Sequence, residues 1–305
     1  MRWLVALLAL LASACATVPE ATPVKRIALT YDDAPLPDGP LLSGTERTRR
    51  LIAALAAEKV QAAFFVTTGN LAQDEGEQRV RDLAAAGHLI ANHSHSHPYL
   101  RDIGPAAYLA EIDVAEGHLK RFTNRRPWFR YPYLNESPNA EYRDAVRTGL
   151  AQRGLRNGYV TVDTWDWALV DLVRKARAEG RTISMAALRD LYLEMELSGV
   201  DTYDRIARTS LGRSPAHVLL LHDNDLAALF ARDLIRALRE RGWQVVSPDV
   251  AFADPIGKSE PDTMHLGGGR VAALAAVAGG VPHQRDRYQN QALLKSLFES
   301  RVLKP

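Results

Sequence analysis

From Lys25 to about residue 250, short apolar runs of β-type residues alternate with longer stretches of helical periodicity. The runs Arg26–Thr30, Ala62–Val66, His88–Ala91, Pro127–Arg130, Gly158–Val162 and His217–Leu221 predict strands, and Gln244–Val246 is a weaker candidate. Helical spacing falls between them, over Glu46–Glu58, Glu75–Ala86, Pro105–Phe122, Ala140–Arg153 and Leu226–Arg241. The last is the best marked. Leu226, Leu229, Phe230, Leu234 and Leu238 form one apolar stripe, and Gly242 stands at the stop. Strand and helix in strict alternation imply βα units around a parallel sheet. Residues 168–216 interrupt the rhythm with an insertion of two or more helices, whose role as lid or packing the pattern leaves open. After Pro255 comes a polar, weakly helical tail, 256–305, punctuated by Gly267-Gly268-Gly269 and Gly279-Gly280, with a short amphipathic piece at Ala292–Leu303.

The length of 305 residues suits one large α/β barrel or two smaller domains, and 47% apolar residues suffice for a sizeable core. A formal charge of +2 gives no reason to expect nucleic acid as a partner. The N-terminus differs from the rest. Met1-Arg2 precedes an apolar run, Trp3 to Ala12, of signal-peptide length. The small residues Ala12-Ser13-Ala14 then lead into Cys15, the only cysteine, which has no partner for an internal disulfide. The stretch resembles a bacterial lipobox, with Ala12 where leucine is usual. It predicts a signal segment 1–14, acyl chains on Cys15 as a membrane anchor, and a tether 15–25 containing Pro19 and Pro23. That places the protein in the bacterial cell envelope. Ordinary signal cleavage and secretion is the alternative.

Polar clusters follow the predicted strands. Asp32-Asp33 follows the first, and His93-Ser94-His95-Ser96-His97 follows the third. Arg130 to Tyr133 follows the fourth, Asp163-Thr164-Trp165-Asp166-Trp167 the fifth, and His222-Asp223 the sixth. In a parallel barrel these strand ends share one face, where barrel enzymes hold their active sites. His93 and His97 meet one ion if their segment makes a single turn, with His95 pointing elsewhere; an extended segment would align all three. A carboxylate from another strand end would complete a two-histidine, one-carboxylate set with positions open for water and substrate. Asp32 and Asp33, adjacent on extended chain, point apart, so one can bind the ion while the other serves as general base.

Thr30-Tyr31-Asp32-Asp33-Ala34-Pro35, His93-Ser94-x-x-His97, Arg130-x-Pro132-Tyr133, Asp163-x-x-Asp166-Trp167 and Leu220-x-His222-Asp223 together resemble the ordered motifs of the polysaccharide deacetylase family. That family is also called carbohydrate esterase family four, or the NodB-homology domain. The resemblance implies a distorted parallel (β/α) barrel over residues 26–255 and a hydrolase that removes acetyl groups from a polysaccharide. It implies Asp33, His93 and His97 as ligands of one divalent ion, with zinc favoured and cobalt, manganese or nickel also suited. Asp32 would be the base, aimed by Arg130, and Ser94 would brace the histidine loop. Tyr133 would offer its backbone N–H to the oxyanion, and Trp167 and Leu220 would line the pocket for the acetyl methyl. His222 would be the general acid, tuned by Asp163, with Asp166 as the substitute because the insertion lengthens this stretch. Ala34 and Leu134 stand where the family commonly has glycine.

The substrate implied is an acetylated polysaccharide, an N-acetylglucosamine polymer being favoured over acetylated xylan. Alternatives are cleavage of another acyl or amide bond, and a glycan-binding lipoprotein without catalysis. Trp165 and Trp167 can be core aromatics or sugar-stacking platforms, and Tyr99 can line the groove or pack. His88, His118 and His217 read as structural or exposed, Asp223 as a local hydrogen-bonding group, and Arg47, Arg49 and Arg50 as a solvated helix face.

Overall fold

A computed structural model describes residues 24–264, 267–279 and 285–304. The signal segment, Cys15 and the tether as far as residue 23 lie outside the described residues. Among those described, no helix is long and apolar enough to cross a membrane.

The strands are β1 (Lys25–Ala34), β2 (Ala63–Val66), β3 (Leu89–Asn92), β4 (Arg125–Phe129), β5 (Arg156–Asn157), β6 (Ala216–His222) and β7 (Trp243–Val245). The helices are α1 (Gly44–Ala57), α2 (Gly76–Ala85), α3 (Leu100–Leu119), α4 (Ala140–Gln152), α5 (Asp166–Ala178), α6 (Met185–Leu211), α7 (Asp225–Glu240), α8 (Pro248–Phe252), α9 (Gly269–Val277) and α10 (Gln291–Leu297). The sheet is parallel throughout, in the order β5-β4-β3-β2-β1-β6, with β7 also on β1. Beyond β5, Val162 bridges Leu219 of β6, and Leu220 N–H donates to Val162 O at 3.0 Å. Residues 156–162 therefore pair with β4 at one end and β6 at the other. The sheet curls into a distorted barrel.

The continuous strand expected over Gly158–Val162 is not formed. β5 holds only two residues, and the carbonyls after it turn to other donors. Gly158 O accepts from Arg130 Nε at 2.6 Å, and Val160 O accepts from Arg270 N–H at 2.7 Å. Gly158 is required where this turn begins, because a Cβ there would lie 2.5 Å from the Phe65 ring. The chain leaves the ladder to serve a buried arginine.

Elsewhere the apolar periodicity places the helices as expected. Leu226, Leu234 and Leu238 of α7 are fully buried, each contributing roughly 1.5–3 kcal/mol. Asn224 caps that helix, its side-chain oxygen accepting from Ala227 N–H at 2.9 Å. The insertion is α5 and α6. Leu188, Leu191, Tyr192, Met195, Val200 and Tyr203 of α6 are buried in the main core, so this long helix is packing and not a free lid. The tail docks on it: Asp286 accepts from Ser198 and Thr202, and Tyr203 donates to Gln289.

Arg47 corrects the picture of a solvated basic face. Arg49 and Arg50 are exposed and pair with Glu46, but Arg47 is buried against Asp223 and Asp225. Asp223 also accepts from Arg79 at 3.0 Å, so it anchors a buried ion network. His88 and His217 are buried and structural, while His118 is exposed.

Candidate metal and acid–base site

The ends of β1, β3, β4 and β6 bring their polar clusters to one rim. At the end of β1 the chain leaves extended geometry at Asp33, whose φ is 63°. Asp32 therefore points into the barrel end and Asp33 toward the histidine loop. Asp32 is buried and takes the Arg130 guanidinium at 2.5 Å. Arg130 is fully enclosed, with its face on the Phe65 ring at 3.7 Å and Nη1 also donating to Thr30 at 2.8 Å. Five donors in a fixed fork let this side chain satisfy itself and orient the carboxylate together.

The histidine segment is a loop and contains no helical turn: Ser94 and His97 both have left-handed backbone, with φ of 68° and 59°. A side chain replaces the helical hydrogen bond. Ser94 Oγ accepts from His97 N–H at 3.0 Å, and Ser94 N–H donates to Asn92 Oδ1 at 2.7 Å. The loop folds so that the rings of His93 and His97 lie 4.8 Å apart. His95 turns away to Thr68, 3.0 Å from its hydroxyl, and stacks on His118.

His93 Nδ1 lies 2.9 Å from the Arg130 carbonyl. A carbonyl only accepts, so Nδ1 carries the proton and the Nε2 lone pair is free. That Nε2 is 3.4 Å from Asp33 Oδ1, and His97 Nε2 is 3.2 Å from the same oxygen. Ligand atoms of Asp33, His93 and His97 all lie within 4.8 Å of one another. Two imidazoles and one carboxylate at this spacing, one ring fixed by a carbonyl behind it, fit a single divalent cation. Burial and the neighbouring His93 hold the His97 imidazole down to about 4, so it is neutral, as a ligand must be. Burial alone would raise the Asp33 carboxyl, but the imidazoles of His93, His97 and His222 around it keep it below the usual carboxylate range.

Across the rim, His222 ends β6 opposite Asp32 in register. Its partner is Asp166. His222 Nδ1 lies 2.6 Å from Asp166 Oδ1, and its backbone N–H donates to Oδ2 at 2.9 Å. Asn224 Nδ2 and Trp167 N–H complete the shell at 2.7 and 2.8 Å. Burial would lower the His222 pKa, but Asp166, through charge and hydrogen bond, raises it to about 10, with Asp33 and Asp32 adding to the effect. The expected pairing of His222 with Asp163 is thus not the one formed. Asp163 instead accepts from Gly268 N–H at 3.2 Å and Gln289 Nε2 at 2.9 Å, both from the tail. Burial lifts its carboxyl to about 6 despite those donors.

A cavity of about 560 Å³ opens over these groups. Trp167 and Leu220 line it, as do Trp165, Tyr99 and Tyr133. Trp165 and Trp167 sit with ring centroids 5.4 Å apart, and Tyr99 stacks on Tyr133 at 3.7 Å. Tyr133 and Leu134 both have left-handed backbone, with φ of 59° and 51°. Leu134 keeps a conformation suited to glycine at a cost of roughly 1–2 kcal/mol. Gly267, Gly268 and Arg285 complete the wall. The sequence marks Gly267 and Gly268 only as punctuation of the tail and Arg285 not at all, since no strand end or motif ties the tail to the site.

A curled parallel α/β barrel with a cation-ready triad between an arginine-held aspartate and an aspartate-held histidine defines a class of hydrolytic site. Residues 20–158 match the family model described as polysaccharide deacetylase. The chain is 30% identical to a chitooligosaccharide deacetylase of Sinorhizobium fredii over 242 residues, 76% of this chain and 94% of the relative. It is 30% identical over 128 residues to a chitin deacetylase of Colletotrichum lindemuthianum, covering 39% of this chain and about half, 48%, of that protein. A family 4 carbohydrate esterase of Streptomyces lividans, solved in complex with acetate, superposes with a TM-score of 0.50 at 22% identity, over 74% of this chain and 95% of that one. This chain belongs to the polysaccharide deacetylase family and is an enzyme of that class.

Proposed function

We propose that the protein is a metal-dependent deacetylase of N-acetylglucosamine-type glycans, of the kind named in the chitooligosaccharide and chitin deacetylases it resembles. The observation that carries this reading is the convergence of Asp33, His93 and His97, with Asp32–Arg130 on one side and His222–Asp166 on the other. Asp33, His93 and His97 hold the ion, for which zinc suits the nitrogen-rich set; when bound, it supplies Lewis acidity toward water and the acetyl carbonyl. Asp32, aimed by Arg130, takes the proton of the attacking water. The Tyr133 backbone N–H donates to the acetyl oxygen as charge develops there. His222, protonated at neutral pH, gives its proton to the departing sugar nitrogen. Leu220 and Trp167 enclose the acetyl methyl, and the remaining aromatics offer faces to sugar rings. The lipobox-like segment supports attachment to the cell envelope through acylated Cys15.

The test is acetate release from N-acetylglucosamine oligomers, set against acetylated xylan, with the zinc-loaded full chain. Release from the oligomers supports the assignment. Release from xylan alone would move the substrate to an O-acetyl ester, and glycan binding without acetate release would end the enzymatic reading.

A further inference from the structure

Behind the loop that carries Arg130 and Tyr133 lies a second, smaller cavity of about 50 Å³, separated from the groove by Leu134 and Gly267. Its wall includes Arg270, the second residue of α9, which is 5% exposed. The Nη1 of Arg270 is buried with no hydrogen-bond partner, and no described carboxylate lies within ion-pair distance. Its direct contact is the Tyr159 ring, 5.0 Å from the guanidinium carbon, and Glu136 and Glu260 act on it only by charge from beyond ion-pair distance. A cation–π contact offsets only part of the cost of burying a guanidinium away from water. The same wall holds Tyr131, whose buried hydroxyl is likewise unpartnered. In the adjoining, solvent-facing cleft of about 510 Å³, the Trp128 indole N–H is a third such group.

All three can donate, and one carries a full positive charge. The carboxylate in the cavity wall is already engaged: Glu136 takes Arg147 at 2.7 Å and Asn157 at 3.1 Å. Water could fill the space, but it would neutralise no charge.

We propose that this cavity is a second binding site, for a small oxyanion (a carboxylate or phosphate group) held by the Arg270 guanidinium and the Tyr131 hydroxyl. The cleft shares Tyr131, Arg147 and Arg270 with the cavity. Tyr131 lies between Arg130 and Tyr133, so an ion here braces from behind the loop that shapes the groove. The site is independent of the metal triad, and its occupancy is measurable without turnover.

The experiment soaks crystals of the zinc-loaded full chain in selenate and locates selenium by anomalous scattering. Calorimetric titrations follow with acetate, phosphate and glucuronate. The expected result is a selenium peak between Arg270 and Tyr131, apart from any at the metal site. Arg270→Met and Tyr131→Phe should each weaken binding there by roughly tenfold to a hundredfold. Arg270→Lys, which keeps the charge, guards against a packing artefact by retaining part of the affinity. Glucuronate binding tighter than acetate or phosphate would assign the anion to a sugar substituent; the reverse order would assign it to a free ion. Ordered water alone in the cavity, a selenium peak only at the metal site, or unchanged affinity in both variants would overturn the proposal.

Discussion

Replacing Asp166 with asparagine removes the charge beneath His222 while keeping shape. The buried carboxylate receives His222 Nδ1, His222 N–H, Asn224 Nδ2 and Trp167 N–H, so its two oxygens serve four donors. An amide has one oxygen. Whichever way it turns, its NH₂ faces donors, and each buried group left unpaired costs about 1–3 kcal/mol. The charge effect is larger. Asp166 is the main group lifting His222 from an ordinary 6.5 to about 10 against burial. At about 1.4 kcal/mol per unit, that lift is on the order of 5 kcal/mol. Breaking a buried charge pair typically costs roughly 3–5 kcal/mol, a similar size. A cation at Asp33 would cancel much of the help from Asp33 and Asp32, leaving Asp166 as the principal support. The sign follows. Without Asp166, burial dominates, the His222 pKa falls toward or below 6.5, and the imidazole is neutral at pH 7–8. An acid that has lost its proton should cost about a hundredfold to ten-thousandfold in kcat. The basic limb of the kcat profile should move downward by about three units. The assay is acetate release from pH 5 to 10, with NMR titration of His222 as a readout free of turnover. Asp163→Asn is the control. It should move the limb far less, since Asp163 is hydrogen-bonded to the tail and meets His222 only by charge at a distance. An unmoved limb in Asp166→Asn, or an equal shift in Asp163→Asn, would refute the reasoning.

Three further outcomes are expected. Asp32→Asn should lower turnover by roughly a hundredfold or more while elemental analysis still finds the ion, because the change spares the ligand set. His97→Ala should leave the purified protein short of stoichiometric zinc, read by mass spectrometry, since it opens one corner of the triad. Asp223→Ala takes the paired carboxylate from buried Arg79, leaves Arg47 with Asp225 alone, and should cost roughly 3–5 kcal/mol. It would then lower Tm by on the order of 10 °C, measured calorimetrically.

The strand ends and their polar residues were legible in the sequence because both signals are local. An apolar run followed at once by Asp32-Asp33 or His222-Asp223 needs no knowledge of distant residues to be read as a strand meeting a site. The positions of β1, β3, β4 and β6, and the convergence of Asp33, His93 and His97, follow from that pattern and the rule that parallel strands share a face. What a side chain does at a distance was not legible. Arg47 carries the same letter as Arg49 and Arg50, yet faces a buried Asp223 that is 176 positions away. Asp163 and Asp166 are equivalent in sequence, and only the first turn of α5 aims one of them at His222. The run Gly158–Val162 has the composition of a strand, but Arg130 claims its first carbonyl and the ladder breaks.

The sequence by itself determined the alternation of strand and helix, the residue types at the rim and the chemistry those types can perform, since periodicity and side-chain identity are properties of the chain. The tertiary structure alone decided which aspartate serves His222, that α6 is core, and that the tail supplies part of the groove wall. It also decided that Arg270 sits buried with no hydrogen-bond partner for its Nη1 among the described residues. Each of these depends on burial and on contacts between residues far apart in the chain, which are created only when it folds.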